Sequence, residues 1–205
     1  MNVITINREF GSGGRELGKR LADALGYDYY DKEIIDAIAK KSNLDVAFVD
    51  KALEDGSWRK FPITYNHTFS YMPVIETPGT RLISWETEVL HEIAEKSNCV
   101  IVGRAADAIL DDYHPLKLFV YADMDSRVKR CQERAEEGEN LSDREMVRHI
   151  KKVDRARASN HDLVSTYSWS DRNGFDLCIN TSNIEIKKII PAITEYSKAW
   201  FSKQV

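Results

Sequence analysis

Four short segments that are apolar along nearly their whole length limit the fold of this chain more than any other feature. They are VITI at 3–6, CVIVG at 99–103, LKLFVYA at 116–122 and FDLCIN at 175–180. A strand with one face in water alternates apolar and polar side chains, whereas a strand covered on both faces is apolar throughout. Because helical stretches separate these segments, the pattern predicts an α/β domain whose parallel sheet is covered by helices on both faces.

Between and after the strand segments, apolar residues recur at helical spacing. The first helical stretch ends at Gly26, a residue common at helix C-termini because it readily adopts the left-handed conformation. A later stretch opens with SDRE, in which Ser142 and Glu145 fit a capping box. The predicted helices cover residues 15–25, 32–42, about 81–97, 142–160 and from about 184 onward.

Composition excludes several classes of protein. The chain has 205 residues, 42% of them hydrophobic, and a net charge of −4. It can therefore bury a substantial core, and it lacks the basic excess of proteins that bind nucleic acid polymers. No apolar run approaches the ~20 residues of a membrane span, and the start MNVITINREF lacks the pattern of a signal peptide. Cys99, Cys131 and Cys178 are too far apart for a CxxC metal pair. We expect a cytoplasmic protein with reduced thiols and no membrane or nucleic acid partner.

Residues 56–80 form the one long stretch without a sustained period. They contain several aromatic residues and three prolines, which favours a long excursion with functional side chains over a regular element. Its polar and aromatic side chains can stack on a base, cover the core or form a dimer contact. The residues concerned are Tyr65, Asn66, His67, Phe69 and Tyr71.

The first strand segment runs directly into a glycine cluster, REFGSGG at 8–14, and then into the first predicted helix. Glycines let successive backbone N–H groups point inward, and the helix N-terminus adds partial positive charge, so this arrangement suits phosphate groups. An ordinary glycine-rich turn at the end of a strand is the alternative.

The cluster departs from the Walker A pattern GxxxxGK[ST], because the lysine is missing from its usual place. Alignment puts Gly14 at the lysine position and Arg15 beside it. The segment GGRELGK at 13–19 matches the pattern literally, but it would place Lys19 a full turn inside the helix, so we reject this register. In the favoured register Arg15, with Arg8 as a second candidate, supplies the charge that the lysine brings to the β- and γ-phosphates.

Four motifs in order along the chain resemble the cytidylate kinase-like proteins, a branch of the nucleoside monophosphate kinases with an altered phosphate loop. They are ITINREFGSGGRELGKRLADALG, YDKEIID, CVIVGRAADAIL and the DRARA within 142–160. The similarity runs from residue 3 to about 190 and is weakest over 56–80. Several motifs in the same order are more specific than one loop.

The resemblance implies a three-layer P-loop kinase fold in one domain spanning residues 1–205, with an acceptor-binding insert at about 32–95 and a lid at about 131–155. It implies ATP and Mg²⁺ as cofactors and transfer of a phosphoryl group to a nucleoside monophosphate, most directly CMP or dCMP. Because a nucleotide phosphate is already anionic, no general base is expected and no histidine is assigned a catalytic role. The residues expected to hold ATP are Arg8, Gly11, Ser12, Gly13, Gly14, Arg15 and Glu16.

Arg104 ends the buried segment VIVGR, and the carboxyl ends of parallel strands line the ligand crevice in this class of fold. It resembles the arginine with which cytidylate kinases bind the acceptor phosphate. A purely structural arginine at this edge would need a buried acid partner. Cytidylate kinases carry an acid just before this arginine, whereas Val102 and Gly103 stand here, so the protein ligand of Mg²⁺ stays unassigned.

Further candidates follow from matching segments. The segment ADMDSRVKR at 122–130 resembles the one that leads into the family's lid, and Asp154 and Arg157 share one helical face. A solvated, charged helix is the alternative for that face. An N-cap is the alternative for Asp31, which begins the segment that resembles the acceptor site. The expected catalytic residues are Arg15, Arg104, Arg127, Arg130 and Arg157, and the expected acceptor-binding residues are Asp31, Arg104, Asp154 and Arg157.

Two other functions stay open at this point. The missing lysine and the missing acid before Arg104 are compatible with a nucleotide-binding regulator that has lost phosphoryl transfer. The unmatched segment 56–80 is compatible with a kinase of a non-nucleotide small molecule. The aromatic residues of this segment are also compatible with a homodimer contact.

Overall fold

The structure is a computed structural model that describes residues 1–55, 78–134 and 141–202. Within these ranges five parallel strands form one sheet in the order β2-β3-β1-β4-β5. The central strand β1 pairs with a neighbour on each side, so that Ile4 lies opposite both Val100 and Leu116. The strands are β1 (Val3–Arg8), β2 (Asp28–Tyr30), β3 (Cys99–Val102), β4 (Leu116–Tyr121) and β5 (Leu177–Asn180).

Eight α-helices connect and follow these strands in the described part of the chain. They are α1 (Gly14–Leu25), α2 (Glu33–Ser42), α3 (Val46–Asp55), α4 (Pro78–Lys96), α5 (Ala106–Ile109), α6 (Met124–Glu133), α7 (Asp143–His161) and α8 (Ile186–Ser202).

Helices cover both faces of the sheet, which explains why its strands are apolar throughout. Along β3, Cys99 and Ile101 pack with α2, α3 and α4, whereas Val100 and Val102 pack with α1 and α8. Successive side chains of a strand point to opposite faces, so each face needs its own apolar set. The predicted α/β fold with a parallel sheet covered on both faces is confirmed.

The predicted ends of two helices are confirmed as well. Gly26 has a φ of +68° and caps α1, and its N–H donates to carbonyl oxygens of the preceding turn. At the start of α7, the Glu145 carboxylate accepts the Ser142 N–H at 3.0 Å. The pattern missed β2, which has three residues at the edge of the sheet, and it also missed the helices α3, α5 and α6.

Helix α1 lies unusually close to the sheet at Gly18. A Cβ atom at this position would lie 2.8 Å from Val102 Cγ2 and 3.1 Å from Ile6 Cδ1. The close approach fixes α1 against β1 and β3, and α1 begins directly after the glycine cluster. The position of the cluster therefore depends on this contact.

Replacing Gly18 by valine should destabilise the fold by about 1–3 kcal/mol, because the added side chain must displace buried atoms of the sheet. Thermal unfolding followed by circular dichroism measures this. The matched control is Lys19→Val, which places the same β-branched residue at the next, exposed position of α1. An equal loss of stability in the two variants would mean that only the helix propensity of valine matters.

Candidate functional site

The glycine cluster forms a compact loop between β1 and α1. Gly11 has a φ of +78° and Gly13 a φ of +84°, a conformation that favours glycine. The Ser12 hydroxyl donates to the carbonyl oxygen of Glu9 at 2.8 Å, which closes the turn. Gly13 is the N-cap of α1, so the unpaired N–H groups of the first helical turn face the loop. These features match a loop that binds an anion through its backbone.

Two predicted site residues hold this loop from behind. The Asp154 carboxylate accepts the Phe10 N–H at 2.7 Å, and Arg127 Nε donates to the Phe10 carbonyl oxygen at 2.7 Å. The Arg127 guanidinium also pairs with Asp154 and, at 3.2 Å, with Glu9. Arg127 and Asp154 therefore bind the two peptide groups that flank the Phe10 Cα atom, and neither side chain lines the main cavity.

The main cavity lies in front of the loop, between α6 and α7, and has a volume of about 800 Å³. Arg130 lies at its edge and links the loop to the segment after β5. Its guanidinium donates to the carbonyl oxygens of Ser12 at 3.3 Å and Ile184 at 3.2 Å, and to that of Thr181. Sites for small ligands typically have volumes of about 300–1,000 Å³, so this cavity can hold a nucleotide.

Arginines converge around Asp31 at the carboxyl end of the sheet. The Asp31 carboxylate pairs with Arg15 and lies 3.9 Å from Arg8. Helix α2 has Lys32 at its N-cap, without a side-chain hydrogen bond, so the capping role considered for Asp31 is not observed. Burial and the nearby Arg157 lower the pKa of Arg8 well below its usual value, although Asp31 opposes the shift. Such crowding of cations favours binding of an anion.

Arg104 reaches this cluster from a strained stretch of backbone after β3. Gly103, Arg104 and Ala105 have φ values of +79°, +63° and +48°. Positive φ is costly for residues other than glycine, and such strain is concentrated at functional sites. The Arg104 guanidinium lies 3.7 Å from Asp50, which is half exposed.

Glu86 is a functional candidate that the motif analysis missed. It lines a small cavity of about 90 Å³ together with Arg104 and Arg157. Burial raises its pKa to about 7, although the nearby Arg104 opposes the shift. The signal was present in the sequence, because Glu86 lies at helical spacing between the buried Leu82 and Leu90.

A buried hydrogen-bond network lies behind the arginines. Asp107 is 1% exposed and accepts hydrogen bonds from His161 Nε2 at 2.9 Å and from the Tyr167 hydroxyl at 2.6 Å. Burial by itself would lower the pKa of His161. The carboxylates of Asp107 and, to a smaller extent, Asp162 have the larger combined effect and raise this pKa. The network joins the end of α7 to α5, and Arg157 lies one helical turn before His161.

Some predictions concern residues that the structure does not describe. They are the predictions on the aromatic residues of 56–77 and on the part of the predicted lid at 135–140. Within the described ranges, no three His, Cys, Asp or Glu side chains cluster as metal ligands. No helix in those ranges is both long and apolar enough to cross a membrane.

Comparison with known proteins identifies similar sequences and structures. A model of the cytidylate kinase-like family matches residues 3–183. A cytidylate kinase from Thermosipho melanesiensis is 24% identical over 217 residues, which cover 95% of this chain and 96% of the relative. The structure of an uncharacterized protein from Eubacterium ventriosum ATCC 27560 aligns with a TM-score of 0.70 at 27% identity, over 97% of this chain and 98% of the other. Shikimate kinase from Bacteroides thetaiotaomicron aligns with a TM-score of 0.58 at 16% identity, over 96% and 98%, which shows a shared fold.

Removing the Arg127 side chain should cost about 3–5 kcal/mol of folding stability, because Asp154 and Glu9 would keep their charges without the cation between them. Thermal or urea unfolding of Arg127→Ala measures the loss. Lys129→Ala, an exposed cation of the same helix, is the control and should lose less than 1 kcal/mol. If both variants were equally stable, Arg127 would not clamp the loop.

The raised pKa of Glu86 predicts a specific dependence of stability on pH. Its folded-state pKa of about 7 exceeds the ordinary value of 4.5. The contribution of Glu86 to the free energy of unfolding is therefore fully present below pH 4.5 and is lost as the pH rises through 7, a change of roughly 3 kcal/mol. Glu86→Gln should remove this part of the pH dependence and stabilise the protein at pH 8. Urea unfolding between pH 5 and 8 tests this, with the exposed Glu88→Gln as control; identical pH profiles for wild type and Glu86→Gln would refute it.

Proposed function

The chain belongs to the cytidylate kinase-like family, and we propose that it transfers a phosphoryl group from ATP to a nucleoside monophosphate, with CMP and dCMP as the first candidates. One observation carries the proposal: the phosphate loop and four arginines meet at the same edge of the sheet. The arginines are Arg8, Arg15, Arg104 and Arg157. The relative from Thermosipho melanesiensis, a cytidylate kinase, supports the choice of acceptor.

The phosphates of ATP would lie on the backbone N–H groups of Gly11–Glu16, at the N-terminus of α1. The loop fits this role, because Gly11, Gly13 and Gly14 line the cavity. Mg²⁺ would neutralise charge between the β- and γ-phosphates. We assign it no protein ligand, and the phosphates themselves would hold it together with water.

The acceptor phosphate would lie against Arg104 and Arg157, with Asp31 nearby. Phosphoryl transfer spreads charge over the moving phosphoryl oxygens, so the protein mainly positions the reactants and supplies positive charge. The position of Arg157 supports this role, because Arg157 lines the main cavity beside the loop, with its guanidinium over the Phe10 ring at 5.4 Å and donating to the Arg8 carbonyl oxygen at 3.2 Å. A nucleotide phosphate is already anionic, so no general base is needed.

The remaining predicted residues would act around this centre. Arg127 and Asp154, which we expected to contact substrates, would instead keep the phosphate loop in shape through Phe10. Arg130 would close the cavity from the side of α6. An insert at about 32–95 would bind the acceptor, and a lid at about 131–155 would exclude water, which would otherwise take the phosphoryl group.

One observation favours a second candidate, a kinase that acts on a hydroxyl group of a small molecule. A hydroxyl acceptor must lose a proton, and a carboxyl group with a pKa near 7 suits a general base. Glu86 has such a pKa and lies beside Arg104. With this acceptor, Glu86→Gln would abolish turnover, whereas with a monophosphate acceptor it would leave most of it.

The test is an assay of ADP release with Mg²⁺ and ATP against CMP, dCMP, UMP, AMP and GMP. Arg104→Ala and Arg157→Ala should each lower kcat/KM for the preferred monophosphate by about 100-fold or more, since each removes a positive charge that would lie against the acceptor phosphate. Lys198→Ala, an exposed cation on α8, is the control. ATP binding without turnover on any of the five monophosphates would contradict the proposal.

A further inference from the structure

We infer that Arg8 supplies the charge that a Walker A loop takes from its lysine, and that Gly14 lacks a side chain because Arg8 occupies its space. In a Walker A loop, the residue at position 8 would be glycine and the residue at position 14 would be lysine. In this chain the positions of the cation and the glycine are exchanged, with Arg8 at the glycine position and Gly14 at the lysine position. The inference rests on the proposed function for the identity of the ligand, ATP.

The first argument concerns space at Gly14. A Cβ atom there would lie 2.5 Å from Arg8 Cβ and 3.0 Å from Arg8 Cγ. These atoms belong to the base of the Arg8 side chain, which cannot swing away as its tip can. Unlike Gly11 and Gly13, Gly14 does not have a positive φ. The backbone conformation therefore does not require glycine at this position, whereas the Arg8 side chain does.

The second argument concerns where the Arg8 side chain ends. A Cβ atom at Gly103 would lie 2.7 Å from Arg8 Cζ, so the guanidinium lies directly over the backbone at the end of β3. Arg104 follows immediately and belongs to the proposed acceptor site. The Arg8 side chain thus begins at the phosphate loop and ends beside the acceptor arginine, which places its charge between the two substrates.

The third argument distinguishes Arg8 from Arg15, the other arginine that can replace the lysine. The Arg15 side chain is 54% exposed and pairs directly with Asp31. The Arg8 side chain is 15% exposed, and its closest carboxylate oxygen, from Asp31, is 3.9 Å away. Arg104 and Arg157 add like charge around it. An anionic ligand would therefore compensate the charge of Arg8 far more than that of the solvated Arg15.

In the transfer, the bond between the γ-phosphorus and the bridging oxygen breaks, and its electron pair stays on ADP. An oxygen of the acceptor phosphate forms the new bond to phosphorus. Negative charge grows on the bridging oxygen and is shared by the oxygens of the moving group. Arg8 would stabilise this charge, and the same contact would strengthen binding of ATP relative to AMP.

The experiment exchanges the two residues back. Arg8→Gly and Gly14→Lys are made singly and together, and in the double variant residues 8–14 match GxxxxGK. Each single variant should lose about 100-fold or more in kcat/KM, the first through lost charge and the second through the steric conflict. The double variant should recover to within about tenfold of the wild type. Such non-additivity is expected only where two residues share one role and one space.

Binding gives a second readout that does not depend on turnover. Calorimetry with Mg²⁺-ATP and with AMP should show that Arg8→Met lowers the preference for ATP by about tenfold or more. Arg8→Lys should restore most of it. Arg8→Met keeps the length of the side chain and removes its charge, and thermal unfolding confirms that each variant is folded. Because this measurement needs no acceptor, it stands even if no monophosphate is turned over and the proposed function fails.

Two results would overturn the inference. One is a double variant whose loss equals the product of the two single losses. The other is a folded Arg8→Met protein that keeps its preference for ATP over AMP. In that case Arg15→Met should abolish the preference, and Arg15 would be the residue that replaces the lysine.

Discussion

The central position of β1 is the constraint on which the rest of the molecule depends. Its residues Val3 and Ile4 are completely buried, and it pairs with β3 and β4 along its length. Strand and loop therefore meet at one fixed point, Arg8. The close contact of α1 at Gly18 fixes the other end of the loop. A loop held at both ends presents preorganised N–H groups, which is what binding of phosphate by a backbone requires.

The arginines divide into two groups with different electrostatic surroundings. Arg127 has two carboxylate partners, Glu9 and Asp154, and is sealed behind the loop. Around the cavity, Arg8 and Arg15 share Asp31, so positive charge exceeds negative charge there. A paired arginine stabilises structure, whereas an under-compensated one remains available to a ligand. The distribution of carboxylates therefore distinguishes Arg127, which holds the loop, from Arg8 and Arg15, which are candidates for binding a ligand.

The sequence predicted the layers of the fold and the position of the glycine loop, because both follow from local patterns. Continuous apolar runs indicated buried parallel strands, and glycines between a strand and a helix indicated the loop. Local patterns carry no information on which distant side chains meet, so the pairing of Arg127 with Asp154 was invisible. Glu86 was missed because a single acidic residue on an apolar helical face does not by itself indicate a functional role. The strand β2 was missed because a strand of three exposed or partly exposed residues is too short to show an apolar pattern.

Helix α7 is fastened at two points about 10 Å apart along its axis, where Asp154 holds the Phe10 N–H and His161 holds Asp107. A rod fixed at two points cannot slide along its length. The segment before Asp154 is roughly 16 Å long, and its Met146 and Ile150 pack against α6. A displacement of α6 would therefore reach the loop by two routes, through the Arg127 side chain and through α7, and both routes end at Phe10. The packing between α6 and α7 and the geometry of the loop are thereby linked.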